Sequence, residues 1–368
     1  MAFRDPISDP NANSQPTADA PERQSNESIR PLTVPFVRPS NALGAAHLGL
    51  SLAMWVASIV LGAVFYPSPV ALAASAVLFF SATSRLFAVQ HDNGHMSYFT
   101  SRRANTWVGV LLGAFTAHPF HTMRYNHNRH HAYIGNLDEM ESHEVKTMTV
   151  AEWQKAGTWA RIGYRLYRSP LAICLVGPIA IILIRYRFPK NAMKVGLWDS
   201  AVQNVLMASL WGSVYLIGGW PAFATLLIGA IFAVCFATLI IYSGHNHEKT
   251  YWNRAGDVDF QEASLQGASV LDLGPVFDFM IFNFSYHDLH HLNSKVPCYR
   301  LRECHKALEH LIAPTRLGWR ELVGTLRWNL WDEDKGRMVP FSAADPVFAW
   351  PAGTRRDVQG GGRRDVAG

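Results

Sequence analysis

Nearly uncharged apolar stretches alternate with polar, histidine-bearing segments along this chain. Five of them, 43–65, 69–88, 169–186, 201–218 and 221–243, approach the roughly 20 apolar residues that a membrane-spanning helix needs. A sixth, "TWVGVLLGAFTAHPF" at 106–120, is shorter and fits the membrane interface better than its interior. The polar segments between them hold "HDNGH" (His91, His95), "HNRHH" (His127, His130, His131) and "HDLHH" (His287, His290, His291).

Five crossings conflict with that placement. Between the second and third clusters lie three apolar stretches, and two clusters can meet on one side only if an even number of crossings separates them. Charge identifies the exception. The turns "YPSPV" and "GGWP" contain no Lys or Arg, whereas 85–168 and 185–194 are rich in them, so both flanks of 169–186 fall on the cytoplasmic side. That stretch is short and broken by Pro178, and is expected to be re-entrant or interfacial. The pattern thus predicts an all-α integral membrane protein with four spans (43–65, 69–88, 201–218, 221–243) in two hairpins. Both termini and all histidine clusters are then cytoplasmic, as in a protein of a bacterial inner membrane.

Composition supports a membrane class: 49% of the 368 residues are hydrophobic and 17% charged, against about 25% charged in ordinary globular chains. Residues 1–40 are polar at first and are expected to be a disordered tail, and 335–368 a flexible one. The net charge of +5 comes without a basic-aromatic pattern, which argues against a nucleic-acid partner and leaves anionic lipid as the expected one. Cys174, Cys235, Cys298 and Cys304 have neither zinc nor disulfide-framework spacing.

Residues three and four apart share a helix face, so each cluster can aim its imidazoles at one point. Neutral imidazole suits iron, copper, zinc and nickel, and a catalytic zinc needs only about three protein ligands. Eight convergent imidazoles therefore point to two metals. A lone histidine in such a chain is more often an interfacial polar group, but three clusters on one side reverse that balance. His245 in "YSGHNHEKTYW" is a ninth candidate, with His247 two residues on and Glu248 beside it. Asp92, Asp288 and Glu248 are candidate supporting groups, the two aspartates as acceptors for a ligating ring's second N–H. His118, His121 and His143 lack the cluster spacing and are expected at the interface or surface.

From about Asn41 to Leu322 the chain resembles the integral-membrane fatty acid desaturases, in particular the bacterial acyl-lipid, omega-6/delta-12-like type. The resemblance rests on HxxxH at His91 and His95, HxxHH at His127 to His131 and HxxHH at His287 to His291. "YRLYRSPLAICLVGP", "HNHEKTYW" and "HHLNSKVPCYRL" support it. It implies a cytoplasmic helical cap over the spans and two non-haem irons held by the eight box histidines and His245. It also implies an O2-dependent oxidoreductase that forms a cis double bond in an acyl lipid. Related enzymes often carry an apolar residue where His247 stands, which leaves His245 and His247 both open as the ninth ligand. No cytochrome b5 domain or ferredoxin-type cysteine cluster is evident, so electrons are expected from a separate ferredoxin or cytochrome b5 type carrier; the basic face with Arg300 and Arg302 suits either docking of an acidic carrier or attraction to anionic lipid headgroups. A hydroxylase or ketolase on the same scaffold would share every box. A non-catalytic metal-binding or transport protein is a more distant alternative, because transporters place ligands within their spans.

Overall fold

Ser40 caps the first long helix, α1 (Asn41–Val64), by accepting the Leu43 N–H, and Ser68 with Pro69 starts the second, α2 (Pro69–Gly94). The computed structural model describes residues 28–140 and 145–344. Next come α3 (Arg102–Thr116), α4 (Phe120–Ala132), α5 (Thr158–Tyr167) and the very long α6 (Leu197–His245). Of the described helices, α1, α2 and α6 are long and apolar enough to cross a membrane.

Small residues let these helices approach closely, as in membrane bundles generally. A side-chain carbon at Gly229 would come within 2.6 Å of Phe79, and the Ser75 hydroxyl donates to the Ser58 carbonyl at 2.6 Å. α6 has 49 residues, roughly 73 Å at 1.5 Å per residue, more than twice a hydrocarbon thickness of about 30 Å. Its backbone leaves helical geometry at Gly219 (φ 63°), two residues before Pro221, which has no N–H to give. The Trp220 indole at this break donates to the Tyr66 hydroxyl (3.3 Å) beside the α1–α2 turn. At the other end Asp199 accepts the backbone N–H and the hydroxyl of Thr122, both at 2.8 Å.

Stretch 169–186 is a series of short turns, π-helical at Ala172–Val176 and Ile181–Arg185. With α5 it forms a helix pair bent by 56°, the form of a broken span or a re-entrant loop. Beyond α6 lie α7 (His287–Leu292) and α8 (Cys298–Leu308). One core runs from the long helices (Phe79, Leu86, Leu226) into this region (Leu289, Leu292, Leu301), which seats the third histidine cluster on the ends of the spans.

The structure corrects three expectations. The chain is not wholly helical: β1 (Met148–Thr149) runs parallel to β4 (Leu330–Asp332), which pairs antiparallel with β5 (Arg337–Val339), while β2 (Val270–Leu271) runs parallel to β3 (Arg316–Leu317). Strands of two or three residues are too short for a readable alternation. The tail expected over 1–40 fails for 28–40, because Arg30–Phe36 forms a 3-10 helix whose Thr33 is fully buried and accepts from the Asn293 amide at 2.7 Å. The tail expected from 335 fails likewise, since β5 pairs with β4 and Phe341 packs on Trp153. Residues 1–27 and 345–368 lie outside the described residues.

Candidate metal centre

α2 continues as helix past the apolar run to Gly94, so His91 rides on its last turn and His95 follows one turn on. α4 supplies His127, His130 and His131 at i, i+3 and i+4, α7 supplies His287, His290 and His291 at the same spacing, and His245 ends α6. Four separate elements thus deliver nine of the chain's 16 histidines to one place.

They form two groups. The ligand atoms of His91, His95, His127, His131 and His290 lie within 4.8 Å of one another, and so do those of His130, His245 and His291. His287 joins the second, its Nε2 standing 3.0 Å from that of His245 and 3.1 Å from that of His291. In the first, His131 Nε2 stands 2.9 Å from His127 Nε2 and 3.1 Å from His290 Nε2. The rings of His131 and His291, 4.4 Å apart, bring the groups together.

The donor set fits metal ions. A ring nitrogen carries either one proton or one lone pair, so three convergent Nε2 atoms cannot all satisfy each other by hydrogen bonding, whereas a shared cation satisfies them all. The buried Nε2 atoms of His91 and His95 have no hydrogen-bond partner. Burial first, and neighbouring imidazoles second, hold His127, His131, His287, His290 and His291 well below the ordinary histidine pKa. They remain neutral, with lone pairs free for a metal.

The surrounding groups divide sharply. Asp92 Oδ1 lies 3.2 Å from His91 Nδ1, and its Oδ2 accepts the Cys298 N–H at 2.6 Å, tying the first cluster to α8. Lys295 Nζ donates to the His95 carbonyl (2.7 Å), and Arg124 Nε to that of Gly94 (2.9 Å). His245 Nδ1 faces the Gly267 carbonyl at 3.0 Å. Asp288 does not take the expected role. It is fully buried, both its oxygens lack hydrogen-bond partners, and burial pushes its pKa up to about 7. It follows His287 on α7, and consecutive helical residues point about 100° apart. Glu248 also departs from expectation: it lies beyond the end of α6 and pairs with Arg337 (3.4 Å) at the surface. His247 is buried outside both groups, with neither ring nitrogen hydrogen-bonded and its pKa lowered to about 4 by burial. His121 sits near Trp198, and His143 lies outside the described residues.

A cavity of about 260 Å³ runs alongside the cluster. His91, His127, His130, His245 and His287 line one wall, and Phe87, Ala233, Ala237, Leu271, Ile281 and Phe284 line the apolar remainder. His118, expected at the surface or interface, lines it too, its ring 4.1 Å from that of Tyr186. The sequence hinted at the cavity only in Ala233 and Ala237, small residues on one face of α6.

These features define a mostly helical protein with membrane-type apolar helices and a polyhistidine cluster suited to metal ions beside a largely apolar cavity. The sequence model of the fatty acid desaturase family matches residues 67–323, and the chain belongs to that family, a class of oxidoreductases. A fatty acid desaturase of Bacillus subtilis is 31% identical over 71% of this chain and 74% of its own length. An sn-1 acyl-lipid omega-3 desaturase (ferredoxin) of Synechocystis is 26% identical over 62% of this chain, and an sn-1 oleoyl-lipid 12-desaturase of Arthrospira platensis 23% over 60%. The chain spans 64% of the length of each of these two cyanobacterial proteins.

Proposed function

We propose that this protein is a membrane acyl-lipid desaturase that introduces a cis double bond into a fatty acyl chain. The carrying observation is a cluster of nine converging imidazoles, five of which (His91, His127, His130, His245 and His287) line a largely apolar cavity. On this reading His91, His95, His127, His131 and His290 hold one iron, and His130, His245, His287 and His291 hold a second. When bound, the irons supply the O2 activation that side chains cannot. The net reaction takes one CH2–CH2 unit, O2, two electrons and two protons to one CH=CH unit and two waters.

The protein's own residues hold and shield the substrate. Phe87, Ala233, Ala237, Ile281 and Phe284 bind an acyl chain along its length and exclude water, so that chosen methylenes rest against the histidine wall. Asp92 fixes the proton of His91 on Nδ1, which turns its Nε2 lone pair inward. Electrons arrive from a separate carrier, a reading supported by the ferredoxin in a relative's name.

Four crossings in two hairpins accompany this reading. The Trp220–Tyr66 contact at the break in the middle of α6, with Asp199–Thr122 at its start and His245–His287 at its end, supports a fold-back at Gly219. With 169–186 re-entrant, both termini and the histidines face the cytoplasm of a bacterial inner membrane. Expression in a host without polyunsaturated lipids, followed by mass-spectrometric location of double bonds in each lipid class, tests the function. A new cis double bond at a fixed position is expected. A hydroxylated or keto product instead would replace desaturation by oxygen insertion, and no product from an iron-loaded protein supplied with donor would overturn an enzymatic role.

A further inference from the structure

α5 is amphipathic in the reverse sense for a protein in water. Its inward face carries Arg161, Tyr164 and Arg165, with Arg168 just beyond its end. The Arg161 Nε donates to the Trp153 carbonyl (3.1 Å), the Arg165 guanidinium lies 4.5 Å from the Phe341 ring centre, and Arg168 donates to Asn246 Oδ1 (2.6 Å). Its outward face is Trp159, Ile162 and Leu166, on one helical stripe, with Trp159 85% and Leu166 65% exposed. Cations inside and apolar side chains outside suit a hydrocarbon surround. The same inversion continues down the chain. Leu171, Leu175, Leu183, Ile184 and Phe188 are exposed, Phe188 at 81%, while Arg187 turns inward to the carbonyl of Ala117 (2.9 Å). This surface leads into the lipid-facing start of α6 at Leu197 and Trp198, both exposed.

The same stretch walls the cavity. Ile181, Arg185, Tyr186, Pro189 and Lys190 line it, facing Ala233, Ala237 and Ile241 of α6. Among the lining residues, only Arg185, Lys190 and Ile241 are exposed, so they mark the mouth. We propose that residues 158–198 form a platform lying in the plane of one leaflet, and that the cavity opens sideways between Ile181–Lys190 and Ile241, admitting an acyl chain directly from the bilayer. The entry route rests on the desaturase reading, whereas the platform stands without it. Hydrocarbon contacts the apolar edge at Ile241, and the cations Arg185 and Lys190 lie at the headgroup edge, where long basic side chains reach the interface.

Nitroxides on cysteines placed at Trp159, Leu166 and Phe188, in proteoliposomes of phosphatidylethanolamine and phosphatidylglycerol, test the platform. Each label should collide more with dissolved O2 than with a water-soluble nickel chelate, at one shared shallow depth. A preference for nickel overturns the platform, as do depths that step across the bilayer, which would make α5 and 169–185 a broken span. For the entry, phospholipid retained after delipidation is counted by mass spectrometry. Ile241→Trp, which crowds the mouth, should reduce it by about tenfold with iron content unchanged. Ile228→Trp, on an exposed face outside the cavity, should leave it as in the wild type. Retention unaffected by Ile241→Trp overturns the sideways entry. A wild-type protein that binds lipid and iron but desaturates nothing overturns the functional reading alone.

Discussion

The two box aspartates look alike in sequence, each directly following a cluster histidine, yet the structure separates them. Asp92 bridges His91 Nδ1 (3.2 Å) and the Cys298 N–H (2.6 Å), whereas Asp288 is buried without a hydrogen-bond partner. Asn at position 92 keeps the volume but offers only one acceptor oxygen. If that oxygen stays on the Cys298 N–H, the amide NH2 confronts His91 Nδ1 and drives the proton to Nε2, the nitrogen aimed at the metal. If it turns to His91, two N–H groups face each other at Cys298. The first arrangement costs His91 its inward lone pair and the second a buried hydrogen bond, about 1–3 kcal/mol, which corresponds to roughly 5–150-fold and agrees with the 10–100-fold typical of groups that orient metal ligands. Asp92→Asn should therefore weaken iron retention by about one to two orders of magnitude. Asp288→Asn should change it by less than about threefold, because that carboxyl bonds no histidine, and with its pKa raised to about 7 by burial it already spends part of its time neutral near neutrality. The assay is iron per chain, by elemental analysis of purified protein, against rising chelator concentration. Equal retention by Asp92→Asn and wild type, or equal losses in both variants, would refute this division of roles.

Other outcomes follow from the same geometry. His245→Ala should abolish product and lower iron content, while His247→Ala should retain measurable activity because its ring lies outside both groups; the reverse result would move the ninth ligand to His247. Ala237→Phe, which fills the cavity at one turn of α6, should leave iron bound but shift the product profile toward shorter acyl chains in lipid analysis, and an unchanged profile would mean that the chain lies elsewhere. A cysteine at Asn191 should resist impermeant thiol reagents applied outside intact cells; labelling there would make 169–186 a crossing. Chelator treatment should abolish activity, and iron(II), not zinc, should restore it.

Much of the architecture was legible because it follows from solvent. Long apolar runs announced α1, α2 and α6, the described helices long and apolar enough to cross a membrane. Histidine spacing of three and four likewise announced α4 and α7. What stayed hidden depends on partners distant in sequence. Thr33 is buried because Asn293 is there to meet it, so a polar N-terminal segment docks where composition suggested a free tail. The paired strands at 148–149, 330–332 and 337–339 are too short to leave an alternating pattern. Asp92 is anchored by the N–H of Cys298, 206 residues away in the chain, a partner that Asp288 lacks. The cavity is the clearest case, since Ala233 and Ala237 look like ordinary helix-packing residues until Ile181–Lys190 closes the opposite side.

On the proposed reading, nine histidines hold two irons beside the cavity. Anomalous diffraction from crystals of the purified protein, with data on both sides of the iron absorption edge, tests it most directly. Two iron peaks are predicted, one amid His91, His95, His127, His131 and His290 and the other amid His130, His245, His287 and His291. A single peak, or a signal that appears only at the zinc edge, would contradict it.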